Sequence, residues 1–177
     1  LFYTDLDPNK IERQPIPKMG RKAVECNMLY IDGLEVPKDH LIGEEGEGFK
    51  YLLQGLNPER VLFAVESIGL GFSALERAAT YAKERVVFGR PIGQNQGIQH
   101  PLAKSWAELS AAELLAYKAA GLYDAGQDCG AEANSAKYLG TEAGFRACET
   151  AVLTHGGMGY AKEYHVERMM REAMLAR

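Results

Sequence analysis

Three short stretches of the chain carry groups suited to chemistry. The first is Asn57-Pro58-Glu59-Arg60. Asparagine followed by proline is the pattern of a helix cap and a first helical position, where proline's missing N–H costs nothing. That spacing puts the Glu59 carboxylate in a first helical turn. A carboxylate can remove a proton where an apolar pocket raises its basicity, and a first-turn glutamate is also simply favoured by the helix dipole. Both readings stand at this level. Arg60, beside it, is either a binding cation or an ordinary helix-surface one. The second stretch is Arg85, just ahead of Phe88-Gly89-Arg90-Pro91. A guanidinium donates in a planar fork that suits an anionic group, and a cation is favoured at a helix C-terminus in any case. The third is Gly156-Gly157. Two residues without Cβ let a ligand approach the backbone closely, and a glycine here also serves as a helix C-cap.

Those groups need elements to hold them. Residues 1–43 contain four of the seven prolines, Pro8, Pro15, Pro17 and Pro37, which separate short runs of strand character at 1–5, 10–14 and 25–35. In the last run Cys26, Met28 and Tyr30 alternate with Asn27, Leu29 and Ile31. Because Leu29 and Ile31 are apolar as well, the pattern predicts a strand covered on both faces. After Gly46 and Gly48 the texture turns helical, with a short helix over 49–56 and a new, long one starting at Asn57-Pro58. Val61, Ala64, Val65, Ile68, Phe72, Leu75, Ala79 and Ala82 form its apolar stripe. A second helix is predicted over 98–125, with Pro101 in its first turn, Ile98, Leu102, Leu109, Ala112, Ala116 and Ala120 inward, and Gly126 as its stop. A third spans 131–155, lined by Ala133, Ala136, Gly140, Ala143, Gly144, Ala147 and Ala151, small residues that allow close axis approach. A fourth runs over 164–177. Long helices with short connections make the chain mainly α, an antiparallel four-helix bundle preceded by strands.

Composition narrows the possible functions. No run of 18 apolar residues occurs in the 177, so no membrane insertion by a spanning helix is expected. Lys and Arg number 20 against 24 Asp and Glu, a net charge of −4, which argues against a nucleic-acid partner. Cys26, Cys129 and Cys148 lie far apart without a CxxC pair, so neither a zinc site nor a disulfide frame is expected, and a reducing compartment is. The chain opens on Leu-Phe-Tyr-Thr rather than Met, the mark expected of a fragment.

Four stretches, in this order, resemble the acyl-CoA dehydrogenase family. They are Val36-Pro37 with Gly46-Glu47-Gly48-Phe49, then Asn57-Pro58-Glu59-Arg60, then Glu84-Arg85-Val86-Val87-Phe88-Gly89-Arg90-Pro91-Ile92 with Gln96. The last is His155-Gly156-Gly157-Met158-Gly159-Tyr160 with Tyr164, Val166-Glu167-Arg168 and Arg171-Glu172-Ala173. The resemblance implies a flavoenzyme built of an N-terminal helical domain, a middle β-barrel and a C-terminal four-helix bundle. On it, residues 1–43 are the end of the barrel domain and 44–177 the helical bundle domain, incomplete at its C-terminus. It further implies FAD as cofactor, an acyl-CoA substrate, electron-transfer flavoprotein or a similar acceptor, and a homotetramer arranged as a dimer of dimers. The implied compartment is the cytoplasm for a bacterial protein and the mitochondrial matrix for a eukaryotic one.

The implied reaction forms a Cα–Cβ double bond in an acyl-CoA thioester. A carboxylate removes the α-proton, flavin N5 accepts the β-hydride, and hydrogen bonds to the thioester carbonyl hold the developing enolate. Members of the family place the base in one of two positions. One is immediately before the arginine of the first bundle helix, here Glu59; the other lies beyond Arg177. Both stay open on sequence. By the same resemblance Arg60 stands beside the acyl-CoA site, and Asn57 and Pro58 line it. Arg85 meets the FAD pyrophosphate from across a dimer, with Val86, Val87 and Phe88 alongside and Phe88 near the adenine. Gln96 bonds the cofactor, and Asn95 stands where other members often have histidine. Leu153 replaces a glutamine common in the family, which leaves backbone groups of Thr154, His155 and Gly156, with Gly157, for the flavin contact. Two other functions remain in view, a catalytically inert assembly subunit of a hetero-oligomer and an oxidase-type relative. Trp106, Met169 and Met170 are expected in a core or interface, and Cys148 as a buried small hydrophobe.

Overall fold

The proline-spaced start of the chain forms one antiparallel strand pair. β1 (Ile11–Pro15) runs against β2 (Asn27–Ile31), with Ile11 opposite Ile31 and Pro15 opposite Asn27. The expectation of a strand covered on both faces fails here. Met28, Leu29, Tyr30 and Ile31 are all exposed, and of the ten paired residues only Ile11 is buried. A two-stranded ladder has no second layer within this chain, so its apolar residues on both faces meet solvent. The predicted strand at 1–5 reduces to a single bridge, Phe2 opposite Leu41, with the Tyr3 N–H donating to the His40 carbonyl at 3.1 Å. The computed structural model describes residues 1–177 and divides into two units, Leu1–Leu56 and Asn57–Arg177.

The helical part starts with α1 (Gly48–Glu84), a single helix of 37 residues. This corrects the predicted break at Asn57-Pro58: Pro58 lies inside α1 rather than at its start. Proline there removes the N–H that would bond the Gln54 carbonyl, but Gln54 is exposed and water can take that carbonyl. A short hairpin follows, β3 (Val86–Val87) paired with β4 (Arg90–Pro91). Then come α2 (Gln96–Asp124), α3 (Gly130–His155) and α4 (Val166–Ala173). Pro101 sits inside α2 rather than in its first turn, because that helix begins earlier than predicted. The fourth helix is shorter than expected. Tyr164 precedes it, and after Ala173 the chain tightens into a 3-10 turn, Met174–Ala176.

Contacts between the helices give their direction. Val61 clusters with Ala119 and Ala133, Ala64 and Leu75 cluster with Leu109, Ala136 and Ala143, and Ala78 clusters with Cys148 and Ala151. Going along α1, the partners on α3 rise in number, so α1 and α3 are parallel. The α2–α3 pairs run the other way, Ser105 with Thr150 at 3.2 Å and Lys118 with Glu132 at 3.1 Å. Lys137 of α3 donates to the Ala176 carbonyl at 2.8 Å while Val166 packs near Cys148 and Ala151, so α4 also opposes α3. The result is the up-down-up-down bundle that the sequence pattern predicts. Cys148 is fully buried there, and burial pushes its thiol up to about 12. Trp106 does not join the core; it is 60% exposed.

Small residues set the α1–α3 distance. A Cβ added at Gly144 would stand 2.4 Å from the Ser67 carbonyl oxygen, and one at Gly140 would stand 3.2 Å from Ala64. That close approach is matched by small residues on α1, Ala64, Ser67, Gly71, Ala74 and Ala78, which share the buried face with the predicted Val61, Ile68, Leu75 and Ala82, while Val65 is exposed and Phe72 only partly buried. Gly144→Ala is therefore expected to destabilise the bundle by about 1–3 kcal/mol, since the opposing atom is backbone and cannot rotate away. Gly69→Ala, in the same bundle with nothing within 4 Å of its added Cβ, is expected to stabilise by about 0.5–1 kcal/mol. Denaturant melts of the two variants check both signs.

Candidate functional site

The end of α1 and the end of α3 meet around one cleft. Arg85 follows α1 by one residue, and its N–H still donates to the Tyr81 carbonyl at 2.8 Å, which continues the helical bonding by one turn. The Ile92 N–H donates to the Arg85 carbonyl at 2.9 Å and closes the hairpin back onto the helix end. On the other side α3 stops at His155. Gly156 takes φ +60, a left-handed value open to glycine, and leads into the 3-10 turn Gly156–Tyr160. The cleft between these ends has a volume of about 420 Å³.

Seven of the residues expected to bind cofactor share this cleft. Arg85 and Val87 come from the α1 side, and Leu153, Thr154, His155, Gly156 and Gly157 from the α3 side. Tyr81, Ile92 and Met158 complete the lining. Tyr81, absent from the expected site residues, lies one helical turn before Arg85 and so on the same face. The Arg85 side chain is exposed and no carboxylate lies within ion-pair distance of it. A Cβ built at Gly156 or Gly157 meets no atom within 4 Å, so the space over both backbones is open. An unpaired fork of donors lining the same cleft as bare backbone fits the chemistry of a dinucleotide's pyrophosphate. The Thr154 hydroxyl is turned away, donating to the Thr150 carbonyl at 2.8 Å, and Leu153 is 72% exposed.

The remaining expected cofactor residues stand around the cleft rather than in it. Phe88 and Gly89 form the hairpin turn with φ +52 and +79, the mirror-image turn that two-residue hairpins favour. A phenylalanine at positive φ is costly, and this one projects fully into solvent. Val86 is also exposed. Asn95 is occupied structurally: its Oδ1 accepts from Arg90 Nη2 at 2.6 Å and its Nδ2 donates to the Ile92 carbonyl at 3.0 Å. Gln96, the first residue of α2, is exposed.

Asn57, Pro58, Glu59 and Arg60 lie elsewhere, on one turn near the opposite end of the bundle. Glu59 and Arg85 are separated by roughly 39 Å along the helix at 1.5 Å per residue. Arg60 Nη1 donates to Asn57 Oδ1 at 3.1 Å. Asn57 is thus a partner for Arg60 and not a helix cap, because α1 continues through it. Glu59 is exposed and makes no hydrogen bond or ion pair. Its place about three turns into α1 removes the helix-dipole explanation, which acts only on the first turn.

Residues 46–177 match the family model described as acyl-CoA dehydrogenase, C-terminal domain. The acyl-CoA dehydrogenase fadE12 of Mycobacterium bovis is 46% identical over an alignment covering 100% of this chain and 46% of that protein. An acyl-CoA dehydrogenase of Bacillus subtilis is 43% identical over 88% of this chain and 41% of its own length. Among solved structures, butyryl-CoA dehydrogenase from Megasphaera elsdenii superposes with a TM-score of 0.93 at 32% identity, covering 99% of this chain and 46% of that one. The chain therefore spans less than half the length of the relatives it matches.

Proposed function

The chain belongs to the acyl-CoA dehydrogenase family, and from that premise we propose that it serves the FAD-dependent α,β-dehydrogenation of an acyl-CoA thioester. In that reading residues 1–43 end a β-barrel domain and 44–177 form most of a helical one. The observation that carries the proposal is the cleft that Arg85, which has no ion-pair partner, lines together with the open backbone of Gly156 and Gly157. Bound FAD supplies the acceptor for the β-hydride. Arg85 binds the pyrophosphate and Gly156 and Gly157 let it lie against the main chain. Val86, Val87 and Phe88 border the adenosine end, with Asn95 and Gln96 nearby at the start of α2. Leu153, Thr154 and His155 border the flavin end through their backbone. Glu59 removes the α-proton, Arg60 stands beside the thioester, and Asn57 orients Arg60 through their hydrogen bond. Asn57 and Pro58 line the acyl path.

The separation of Glu59 from Arg85 along α1 supports a further part of the reading. The cofactor that Arg85 holds is the one used by a neighbouring subunit, which makes the working form at least a dimer; the family resemblance implies a homotetramer built from two such dimers. Electrons then pass to electron-transfer flavoprotein or a similar acceptor. No helix is long and apolar enough to cross a membrane. The family resemblance implies the cytoplasm for a bacterial protein and the mitochondrial matrix for a eukaryotic one.

The full-length protein tests this directly. Loaded with FAD and mixed without oxygen with a panel of straight and branched acyl-CoA thioesters, it is expected to lose flavin absorbance with at least one of them. A protein that stays colourless in excess FAD, or a flavin that no acyl-CoA bleaches, overturns the proposal.

A further inference from the structure

At the cleft, three rings join its two walls, two of them, Tyr81 and His155, among its lining residues. Tyr81 of α1 stacks on His155 of α3, with ring centroids 4.2 Å apart and planes 22° from parallel. Tyr164 meets both edge-on, at 5.7 Å from Tyr81 and 5.4 Å from His155. His155 is buried, and its Nδ1 lies 2.7 Å from the Ala151 carbonyl, which can only accept; that nitrogen carries the proton and the ring is locked in orientation. Each stacked ring is also fixed to one wall through its backbone. The Tyr81 carbonyl accepts the Arg85 N–H, and His155 is the residue before Gly156, where the chain turns out of α3. The walls come from different helices, and the stack is the side-chain contact between the two residues that hold them. One face of Tyr81 is covered by His155 and Tyr164 lies edge-on to it, so its ring is engaged by protein.

We propose that Tyr81 is a positioning residue for the cofactor. Its stack on His155 holds the Arg85 guanidinium and the Gly156-Gly157 backbone at the separation a pyrophosphate needs, and so sets FAD affinity through them. This rests on the reading of the cleft as the FAD site, and the experiment separates the two. FAD dissociation constants are measured by flavin fluorescence on the full-length protein, with apoprotein melting curves alongside. Tyr81→Leu is expected to weaken FAD about tenfold, the order of an aromatic pair's worth. Tyr81→Phe, which keeps the ring, is expected to stay within about twofold of wild type. Tyr81→Leu with Arg85→Ala is expected to weaken FAD by less than the product of the single effects, since the ring acts through the guanidinium.

Wild-type affinity in Tyr81→Leu, or a double variant equal to that product, overturns the positioning role while leaving the FAD site intact. Unchanged affinity in Arg85→Ala overturns the site itself, and the positioning role with it. If Tyr81→Leu does not fold, Tyr164→Leu replaces it; about threefold weaker FAD is expected, and wild-type affinity overturns the proposal.

Discussion

Arg85→Ala in the full-length protein is expected to yield apoprotein after gel filtration, with FAD bound on the order of 100-fold more weakly. A charge-assisted contact from a guanidinium to phosphate is worth about 1.5–3 kcal/mol, and the fork makes two such bonds. Nothing in the chain offsets the loss. No carboxylate pairs with Arg85, so removing it leaves no orphaned partner and the bundle's stability is expected to stay the same. Its side chain is exposed and outside the packed clusters. Arg85→Lys keeps the charge without the planar fork and is expected to recover only part of the affinity. The ratio of flavin to protein absorbance, read with the melting curve, checks both. A wild-type ratio in Arg85→Ala removes the observation on which the functional reading stands.

The bundle is legible in the sequence where side-chain size alone decides packing. Ala133, Ala136, Gly140, Ala143, Gly144, Ala147 and Ala151 are all buried, because only small residues fit a seam in which Gly144 lies against the Ser67 backbone. In α1 the apolar stripe is mostly right, with Val61, Ala64, Ile68, Leu75 and Ala82 buried as predicted, and fails only where the seam is tightest. An apolar stripe chosen for size puts Val65 and Phe72 inward, whereas the close approach turns Ser67, Gly71, Ala74 and Ala78 there and leaves Phe72 at the edge. The break expected at Asn57-Pro58 rests on local cap chemistry. A continuous helix overrides it, since one exposed carbonyl is all that Pro58 leaves unpaired.

The candidate site divides in the same way. Arg85 and Gly156-Gly157 stand out through the family motifs around them, because a cation at a helix end and a glycine after a helix are each common by themselves. Tyr81 gives no such signal. Its role depends on which ring of α3 it meets across the bundle, and that pairing is set by helix packing some 70 residues later in the chain, at His155. Asn95 also serves the fold, since its side chain joins the hairpin to the start of α2 through Arg90 and the Ile92 carbonyl.

Glu59→Gln is the second large effect expected. The substitution keeps size and hydrogen-bonding shape while removing the basic oxygen pair, so FAD content and stability are expected to match wild type. Flavin reduction by acyl-CoA is expected to slow on the order of 10³-fold, the range a positioned general base contributes. Three features of the structure are compatible with that role for Glu59. It lies well inside α1, beyond the reach of the helix N-terminus. It has no ion pair to hold it as a structural charge. And it neighbours Arg60, whose guanidinium is held by Asn57 and so cannot be counted as its neutralising partner. A carboxylate left unengaged on a helix is ready for a substrate that packs over it, and covering it with an acyl chain raises its basicity at the moment of need. Glu59→Asp, one methylene shorter, is expected to fall between the two, because reach as well as charge matters in proton removal. Anaerobic stopped-flow at matched flavin occupancy reads all three rates. If Glu59→Gln reduces its flavin as fast as wild type, the proton is taken by a carboxylate beyond Arg177, and Glu59 is an exposed helix residue and nothing more.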